Sequence, residues 1–295
     1  MVNMWDISDW SEFDIIHFFG FNEYLADAVN NISRQNENIV LSPILDPDYN
    51  INKLRFYSRW GSKRFALSNR YFALRKVMKK IKHVYVRSAF EKEYMVRGFG
   101  FSSDVCHVVP LSLKQDYYLT ESNRKPFCFH LSLLADDRKN VRRLIEAAKK
   151  FKFHLVLGGK IRSKKEYANL MNWIDDSEFI EYVGYLSTSE IKKLYHQAKV
   201  FALPSLNEGV GIVAIEAAAS GCEMVITSLG GPKEYYNKMC CLVNPYSIDE
   251  IGKAVKSILD GKFSFQPELS KFVQKNFSID RVGKILISNY KRLHL

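Results

Sequence analysis

The stretch Pro204-Ser-Leu-Asn-Glu-Gly-Val-Gly-Ile-Val-Ala-Ile-Glu216-Ala-Ala-Ala-Ser-Gly221 joins a short apolar run to an alanine-rich segment. The run Val200–Leu203 predicts a strand, and Gly211–Ser220 predicts the helix that follows it. Gly209 and Gly211 lack side chains where this helix begins, so backbone N–H groups there can meet an anion, aided by the helix dipole. The stretch therefore predicts a strand–loop–helix unit with an anion-binding loop.

Two carboxylates lie in this stretch, Glu208 on the loop and Glu216 on the helix, eight residues apart. Eight helical residues rise about 12 Å, a distance at which two carboxylates hold opposite ends of one long ligand. A nucleotide-sugar, with hydroxyl groups at both ends and negative charge between them, fits this spacing. In the alternative interpretation, Glu208 is an acid near the helix N-terminus and Glu216 is a solvated helix residue. The glycines and the preceding Pro204-Ser favour the ligand-binding interpretation.

Strands and helices alternate on both sides of this unit. Such alternation, with helices of about ten residues, predicts parallel sheets, and the six strands between 127 and 243 suffice for a doubly wound domain. The remaining predicted strands are Phe13–Phe19, Ile39–Ser42, His83–Arg87, Val105–Val109, Phe127–Leu133, Phe153–Leu157, Phe179–Val183, Met224–Thr227 and Cys240–Val243. The remaining predicted helices include Val141–Phe151, Ser163–Asp175, Ser187–Gln197 and Ile248–Asp260.

Length and composition exclude several classes of protein. The 295 residues are 47% hydrophobic and 25% charged, which is ordinary for a folded chain. The 5 scattered cysteines predict neither a disulfide scaffold nor a zinc site. The chain has no run of ~18 uncharged apolar residues, and its acidic start lacks the basic region of a signal peptide. We therefore expect a soluble cytoplasmic protein.

Charge is distributed unevenly. Residues 1–50 hold 9 acids and 1 base, whereas residues 51–100 hold 14 bases and 2 acids, which indicates an anionic partner. A helix predicted over Leu67–Lys82 has one apolar stripe with lysines opposite it. It is either a core helix with a solvated basic face or, together with Leu54–Trp60, part of a patch over 53–82 that meets an anionic membrane. No helix-turn-helix, zinc or RNP-like motif indicates a nucleic-acid partner.

The motif around the two glutamates resembles that of the family 4 retaining glycosyltransferases, which have the GT-B fold of two Rossmann-like domains. Its signature is a glutamate, seven residues and a second glutamate, after "PS" and before "EAxAxG", and Glu208–Gly221 matches it. Thr227–Glu234 resembles the family's second glycine loop, and Asp137-Arg-Lys-Asn140 resembles its basic turn. Leu155–Gly159 and Tyr182–Tyr185 fall in the expected order.

The resemblance implies roles for particular residues. Glu208 would hold the hydroxyls of the transferred sugar and Glu216 those of the ribose, while Arg138 and Lys139 would neutralise the departing diphosphate. The resemblance implies no bound metal, because the family needs none, and no cofactor, because the donor nucleotide-sugar is itself a substrate. The other substrate-binding residues implied are Gly209, Val210, Gly211, Gly230, Gly231 and Tyr185.

The resemblance also implies the domain organisation. We expect a reduced acceptor-side domain over 1–118, a nucleotide-sugar-binding domain over 119–280, and a C-terminal helix over 281–295 that returns to the first domain. The polar, aperiodic stretch 111–126 predicts the linker. The predicted GT-B protein is an α/β enzyme of polysaccharide biosynthesis that acts on a saccharide or lipid-linked acceptor, in the cytoplasm or at the inner face of the membrane.

Two departures from the family pattern leave a second interpretation open. Leu133 stands where the family usually carries an arginine, and the first half is short, with no opening strand and glycine loop before Phe13. His17 is the nearest histidine to the family's active-site position, but its place predicts a strand-end residue. The alternative to an enzyme is a non-catalytic nucleotide-sugar-binding subunit that requires a partner chain.

Overall fold

The apolar runs predicted as strands form two separate parallel sheets in the computed structural model. The structure describes Ile7 and residues 9–47, 49–60, 69–114, 117–119 and 124–293. The chain divides into two compact units, one of Met1–Pro110 with Gly283–Leu295, and the other of Leu111–Val282. Each unit is built around its own sheet, and the two units are therefore described separately.

The second unit contains a six-stranded sheet in the order β10-β9-β8-β5-β6-β7, with every pair parallel. Its strands are β5 (Lys125–Leu131), β6 (Leu155–Gly158), β7 (Ile180–Gly184), β8 (Ala198–Leu203), β9 (Glu223–Thr227) and β10 (Cys241–Val243). Its helices are α5 (Val141–Phe151), α6 (Lys164–Ile174), α7 (Thr188–Gln197), α8 (Ile212–Ala219), α9 (Ile248–Leu259) and α10 (Glu268–Phe277).

Period-two alternation places apolar side chains on both faces of this sheet. Phe129 and Phe201 pack into one core with residues of α7, α8 and α10, such as Ala214. Cys128 and Val200, one position earlier on the same strands, pack into a second core with residues of α5, α6 and α9. The sheet is thus covered by helices on both sides, as predicted for a doubly wound domain.

The first unit contains a four-stranded parallel sheet in the order β1-β2-β3-β4. Its strands are β1 (Ile16–Phe19), β2 (Ile39–Ser42), β3 (His83–Val86) and β4 (Cys106–Val108), and its helices are α1 (Leu25–Ile32), α2 (Ile51–Arg59), α3 (Arg70–Val77) and α4 (Ala89–Glu93). A π-helical turn over Tyr94–Phe99 follows α4. Leu41, Leu74 and Met95 belong to one hydrophobic core that these elements share.

The helix predicted over Leu67–Lys82 is shorter than expected. The side chain of Asn69 accepts a hydrogen bond from the Phe72 N–H and so caps a helix that begins at Arg70. The helix ends at Val77 and passes into a 3₁₀ turn, while Leu67 lies outside the described residues. The predicted inward residues that the structure describes include Tyr71 and Leu74, which are buried.

The change from the first unit to the second comes at Pro110, earlier than the predicted boundary at 118/119. The Leu111 N–H donates to the Tyr235 hydroxyl, and the Leu113 N–H donates to the Phe277 carbonyl. These bonds attach the start of the predicted linker to the second unit. The final helix, α11 (Ile279–Lys291), begins in the second unit and continues into the first.

Within the described ranges, no helix combines the length and apolar character needed to cross a membrane. All five cysteines are free thiols, and four of them are buried. Burial raises the pKa of the Cys222 thiol to about 12, which keeps the thiol protonated at neutral pH. The cysteines therefore pack as small apolar side chains.

Candidate active site

The strand order of the second unit reverses direction between β5 and β8. The chain runs outward from β5 through β6 to β7, then returns to the other side of β5 to form β8, β9 and β10. In such sheets, the loops after the two strands at the reversal diverge to opposite faces and leave a crevice in which ligands bind. Here those loops are residues 132–140 and 204–211.

An ion pair between Lys139 and Glu208 joins these two loops. Lys139 Nζ lies 2.6 Å from Glu208 Oε2, and the two side chains are 21% and 9% exposed. Ser205 Oγ donates to the same carboxylate oxygen at 3.4 Å. The Leu206 N–H donates to the Arg138 carbonyl at 2.7 Å, which ties the two loops together through the backbone as well. The residues that the sequence singled out on separate loops therefore meet.

Arg138 makes a different contact from Lys139. Its guanidinium donates from Nη2 to Asp136 Oδ2 at 2.7 Å and from Nε to Asp136 Oδ1 at 3.1 Å. The hydrogen bond from Arg138 lowers the pKa of Asp136. Arg138 is about half exposed, so its cation lies at the surface of the turn, held by Asp136.

Asn140 holds the basic turn against two other loops. Its backbone has a φ of 59°, in the left-handed region that asparagine tolerates better than most residues. Its buried Nδ2 donates to the Pro204 carbonyl at 2.9 Å and to the Pro245 carbonyl at 2.6 Å. The sequence places Asn140 in the basic motif but indicates no role for it, because its two carbonyl partners lie far away in the chain.

Glu216 is buried on α8, so the alternative interpretation of a solvated residue is wrong. Burial raises the pKa of its carboxyl, while the positive charge of Lys114, a hydrogen bond from Tyr117 and the charge of Lys192 oppose this rise. Sequence reasoning missed Lys114 and Tyr117, which lie in the stretch interpreted as a linker. A carboxylate held by a hydroxyl and flanked by two lysines can accept hydrogen bonds from a polar ligand.

The spacing of the two glutamates differs from the estimate. Only the residues from Ile212 onward are helical, and Glu208 precedes that start by four positions. The helical rise from Ile212 to Glu216 is about 6 Å, not the 12 Å that eight helical residues would give. The separation of the two carboxylates therefore depends on the loop as much as on the helix.

The two glycine loops lie against each other. Gly211 is the N-cap of α8 with a φ of 76°, and a Cβ there would come within 2.6 Å of Leu203 Cδ2. Gly230, with a φ of 75°, lies against the backbone of Glu208, and a Cβ at Gly230 would be 2.5 Å from the Glu208 carbonyl oxygen. Gly231 is the N-cap of the following 3₁₀ turn. Of the predicted set, Gly209 and Val210 are buried in the first loop.

The amino end of α8 offers backbone donors. The first hydrogen bond of the helix runs from the Ala214 N–H to the Gly211 carbonyl at 2.9 Å. The N–H groups of Ile212 and Val213 precede that bond, as expected for the first turn of a helix. Together with the dipole of α8, these groups favour an anion beside the Lys139–Glu208 pair.

Tyr185 does not join this cluster. It follows β7, which is the third strand from β8 across the sheet, so about 14 Å separates the two strand ends. Its side chain is 79% exposed. The structure therefore places Tyr185 at the same carboxyl edge of the sheet as Glu208 but away from the reversal.

Two histidines, one in each sheet, are structural. His130 on β5 is buried, with Nδ1 2.8 Å from the Ala202 carbonyl and Nε2 2.7 Å from Ser132 Oγ. His17 on β1 has Nδ1 2.6 Å from the Tyr290 hydroxyl and Nε2 2.8 Å from Ser42 Oγ. Burial lowers the pKa of each imidazole to about 4, so both rings are neutral at physiological pH.

Among the described residues, no three His, Cys, Asp or Glu side chains form a group that could hold a metal ion. The chemistry of this site rests on one ion pair, a second cation, a buried carboxylate and the first turn of a helix. Such a set of groups is suited to a ligand that carries both phosphate groups and hydroxyl groups.

The family model described as "Glycosyl transferases group 1" matches residues 120–276. The chain belongs to this family. A curated relative, the O-antigen chain mannosyltransferase RfbU of Salmonella typhimurium, is 24% identical over 193 residues, which cover 63% of this chain and 54% of the relative. The match spans 30%, 54% and 47% of the length of three curated relatives.

Solved structures share the fold at low sequence identity. A sucrose-phosphate synthase of Thermosynechococcus elongatus superposes with a TM-score of 0.76 at 18% identity, covering 96% of this chain and 74% of that one. Anabaena HepE in complex with UDP superposes with a TM-score of 0.73 at 14% identity, covering 92% and 76% of the two chains. The GT-B fold class predicted from the sequence is confirmed.

Proposed function

We propose that this protein is a glycosyltransferase that moves a sugar from a nucleotide-sugar to a saccharide or lipid-linked acceptor, with retention of configuration. The observation that carries the proposal is the Lys139–Glu208 ion pair at the reversal of the parallel sheet. Membership of the glycosyl transferases group 1 family supports it, as does the likeness to a fold that binds UDP in Anabaena HepE.

In this proposal, Lys139 binds the diphosphate of the donor. An ammonium group has three donors, and the contact with Glu208 uses only one of them. The other two can bind phosphate oxygens brought to the first turn of α8. Negative charge grows on the diphosphate as its bond to the sugar breaks, so a fixed cation stabilises the transition state more than the ground state.

Glu208 and Glu216 hold the two ends of the donor. Glu208 accepts hydrogen bonds from the sugar hydroxyls, and Glu216 accepts them from the ribose hydroxyls. In the transfer, the bond from the sugar C1 to the diphosphate oxygen breaks and its electron pair stays on the diphosphate. The acceptor oxygen bonds to C1 on the same face, and the acceptor proton ends on the diphosphate. Arg138 adds a second cation, held in place by Asp136.

The remaining predicted residues complete the donor site. The backbone around Gly209, Val210 and Gly211 supplies N–H donors, and the second loop with Gly230 and Gly231 closes against Glu208. Tyr185, at the same edge of the sheet, is proposed to contact the outer end of the donor. No metal ion takes part in this scheme, because Lys139, Arg138 and the helix N-terminus provide the positive charge.

A donor screen tests the proposal. The protein is incubated with UDP-, GDP- and ADP-sugars, including GDP-mannose because RfbU is a mannosyltransferase, and both the melting temperature and the release of nucleoside diphosphate are measured. A true donor raises the melting temperature by mass action and is turned over in the presence of a saccharide or lipid-linked acceptor. The lack of both effects for every donor would refute the proposal.

The exposed edge of the first sheet favours the second candidate, a nucleotide-sugar-binding subunit that requires a partner chain. β1 is an edge strand among the strands that the structure describes, and Phe19 on it is largely exposed. Edge strands with exposed apolar side chains pair readily with another chain. Nucleotide-sugar binding without turnover of any donor would support this candidate over the enzyme.

A further inference from the structure

The surface helix α2 carries three distinct rows of side chains. At 100° per residue, Leu54 and Ser58 fall on one side of the helix, and both are fully buried. Phe56 and Trp60 fall on the opposite side, where they are 58% and 70% exposed. Arg55 and Arg59 each precede one of these aromatic residues by one position, so they lie between the buried row and the aromatic row. The helix thus presents aromatic rings to the outside, with guanidinium groups beside them.

A cavity of about 270 Å³ lies between α2 and the π-helical turn. Arg55 and Arg59 line it from α2, and Arg97 and the backbone of Gly100 line it from the turn. The helix and the turn come this close because Gly98 has no side chain: a Cβ there would lie 2.5 Å from Leu54 Cδ2. The packing of two elements therefore brings three guanidinium groups to one cavity.

Positive charge exceeds negative charge around this cavity. Arg97 pairs with Glu93, whereas within the described part of the chain no carboxylate pairs with Arg55 or Arg59. Arg75 adds a fourth guanidinium, which donates to the Phe99 carbonyl. Its pKa is lowered by burial and then by the charges of Arg59 and Arg55, as expected where cations crowd together.

An aromatic pair lies on α2 next to the row of arginines that lines the cavity. The rings of Phe56 and Trp60 are stacked, with centroids 6.3 Å apart and planes inclined by 28°. Both are exposed on the side of α2 that faces away from the core, so burial among the residues that the structure describes does not explain their positions. Helices that lie in a membrane interface combine such outward aromatic side chains with flanking cations.

We propose that the cavity between α2 and the π-helical turn binds the phosphate group of an anionic phospholipid, with Phe56 and Trp60 inserted beside the headgroup. Arg55, Arg59 and Arg97 bind the phosphate oxygens, and guanidinium groups do so in pairs of parallel hydrogen bonds that an ammonium group cannot make. The rings enter the boundary with the acyl chains. This assignment is independent of the proposed glycosyl transfer, because its residues lie in the first unit.

Charge-preserving substitutions separate this site from a diffuse electrostatic attraction. The full chain is sedimented with phosphatidylcholine vesicles, with or without phosphatidylglycerol, at about 0.15 M salt. We expect binding to the anionic vesicles only, and about tenfold weaker binding for the double variant Arg55→Lys/Arg59→Lys. The matched control, Lys76→Arg/Lys79→Arg on the same basic segment, should bind like the wild type. Equal binding of the arginine variant and the wild type would overturn the proposal.

The aromatic side chains and the source of the phosphate are tested in parallel. Phe56→Ser/Trp60→Ser should weaken vesicle binding at least tenfold with an unchanged melting temperature, and Trp60→Phe should remove a blue shift of the fluorescence that anionic vesicles induce. Inorganic phosphate is the competing probe. A thermal shift with inorganic phosphate that requires Arg55 and Arg59, without vesicle binding, would identify a free-phosphate site and overturn the lipid assignment.

Discussion

The two parallel sheets differ in strand order, and this difference decides where a ligand site forms. In the second unit the order reverses between β5 and β8, so the loops that carry Lys139 and Glu208 border one crevice. In the first unit the described strands follow chain order from β1 to β4, so no reversal separates two neighbours. A parallel sheet alone does not make a binding site, because the crevice requires loops that diverge.

The two sheets also differ in their polar side chains. The first sheet carries His17 and the pair His83–His107, whose facing nitrogens are 2.6 Å apart. Burial lowers the pKa of each of these rings, so they are neutral side chains that bond one another and nearby hydroxyls. The second sheet also holds a neutral histidine, His130 on β5, but the loops after β5 and β8 add the charged pair Lys139–Glu208 at its crevice. Substitutions in that charged pair and in its loops test whether these residues make the second sheet, and not the first, a ligand site.

Lys139→Ala should have the largest effect. If Lys139 stabilises the charge that grows on the diphosphate, its removal lowers kcat by about 10²–10³, the scale for one preorganised donor, and weakens donor binding less. The control is Lys150→Ala, which removes an exposed cation from α5 that pairs with Asp249. Steady-state kinetics and calorimetry measure the two effects.

Equal losses in kcat/KM and in donor affinity would contradict a transition-state role for Lys139 and make it a phosphate anchor. The melting temperature is recorded as well, because the alanine variant leaves the buried Glu208 without its cation. Lys139→Ala/Glu208→Gln removes that unpaired charge. A regained melting temperature in the double variant would show that the unpaired charge of Glu208 destabilises Lys139→Ala; its activity is not compared, because Glu208 is itself proposed to bind the sugar.

Gly230→Ala should have the next largest effect. Its positive φ and the close approach to the Glu208 carbonyl both oppose a side chain, so we expect a loss of about 1–3 kcal/mol in the free energy of unfolding. Gly261→Ala is a matched control with a φ of 78° and open space around it, and should lose less. Gly283→Ala, inside α11 with open space, should gain about 0.5–1 kcal/mol.

Urea denaturation measures these three glycine variants. Because the Gly230 contact is to the backbone of Glu208, its alanine variant should also lose donor affinity, whereas the other two should keep it. Equal destabilisation at Gly230 and Gly261 would show that the φ angle alone limits these positions and that the contact between the loops is loose.

The same contrast explains which parts of the structure the sequence predicts. All ten predicted strands are present. Buried parallel strands are continuous apolar runs, so they can be predicted from the local sequence without knowing which strands lie beside them. The roles of Asn140 depend instead on partners 64 and 105 residues away. Strand order is equally non-local, so Tyr185 could not be separated from the loop of Glu208 by sequence alone. Local sequence patterns therefore predict the helices and strands, whereas contacts between residues far apart in the chain decide which loops lie side by side.

Glu216→Gln should weaken nucleotide binding and stabilise the protein without nucleotide. The carboxylate of Glu216 can accept from both ribose hydroxyls, whereas the glutamine amide keeps one acceptor oxygen and replaces the other with a donor, so one hydroxyl loses its acceptor at a cost of about 1–3 kcal/mol. Glu223→Gln is the matched control, since Glu223 is also buried but accepts the Phe265 and Gln266 N–H groups at the opposite edge of the sheet. It should lose stability and keep its nucleotide affinity.

The pH dependence of this variant follows from the raised pKa of Glu216. A carboxyl group with a raised pKa in the folded state stabilises the protein below its unfolded pKa, and that stability is lost as the pH rises through the folded pKa. The melting temperature of Glu216→Gln should therefore rise relative to that of the wild type as the pH increases above the ordinary glutamate pKa of about 4.3. A gap that narrows with rising pH would contradict the burial of the charge.

Asp136→Asn should have the smallest effect. The Asp136–Arg138 pair is partly exposed, so its loss should cost about 0.2–1 kcal/mol of stability. Hydrogen bonding lowers the pKa of Asp136, so this contribution is present above the unfolded pKa and is lost as the pH falls. If Asp136 positions Arg138 for the diphosphate, kcat should fall by less than about tenfold, and Arg138→Ala should abolish any further effect of Asp136→Asn. A double-mutant cycle of kcat and donor affinity measures this coupling. A rise in kcat for Asp136→Asn would instead mean that Asp136 competes with the diphosphate for Arg138, which would leave Lys139 as the single cation of the crevice that acts on the leaving group.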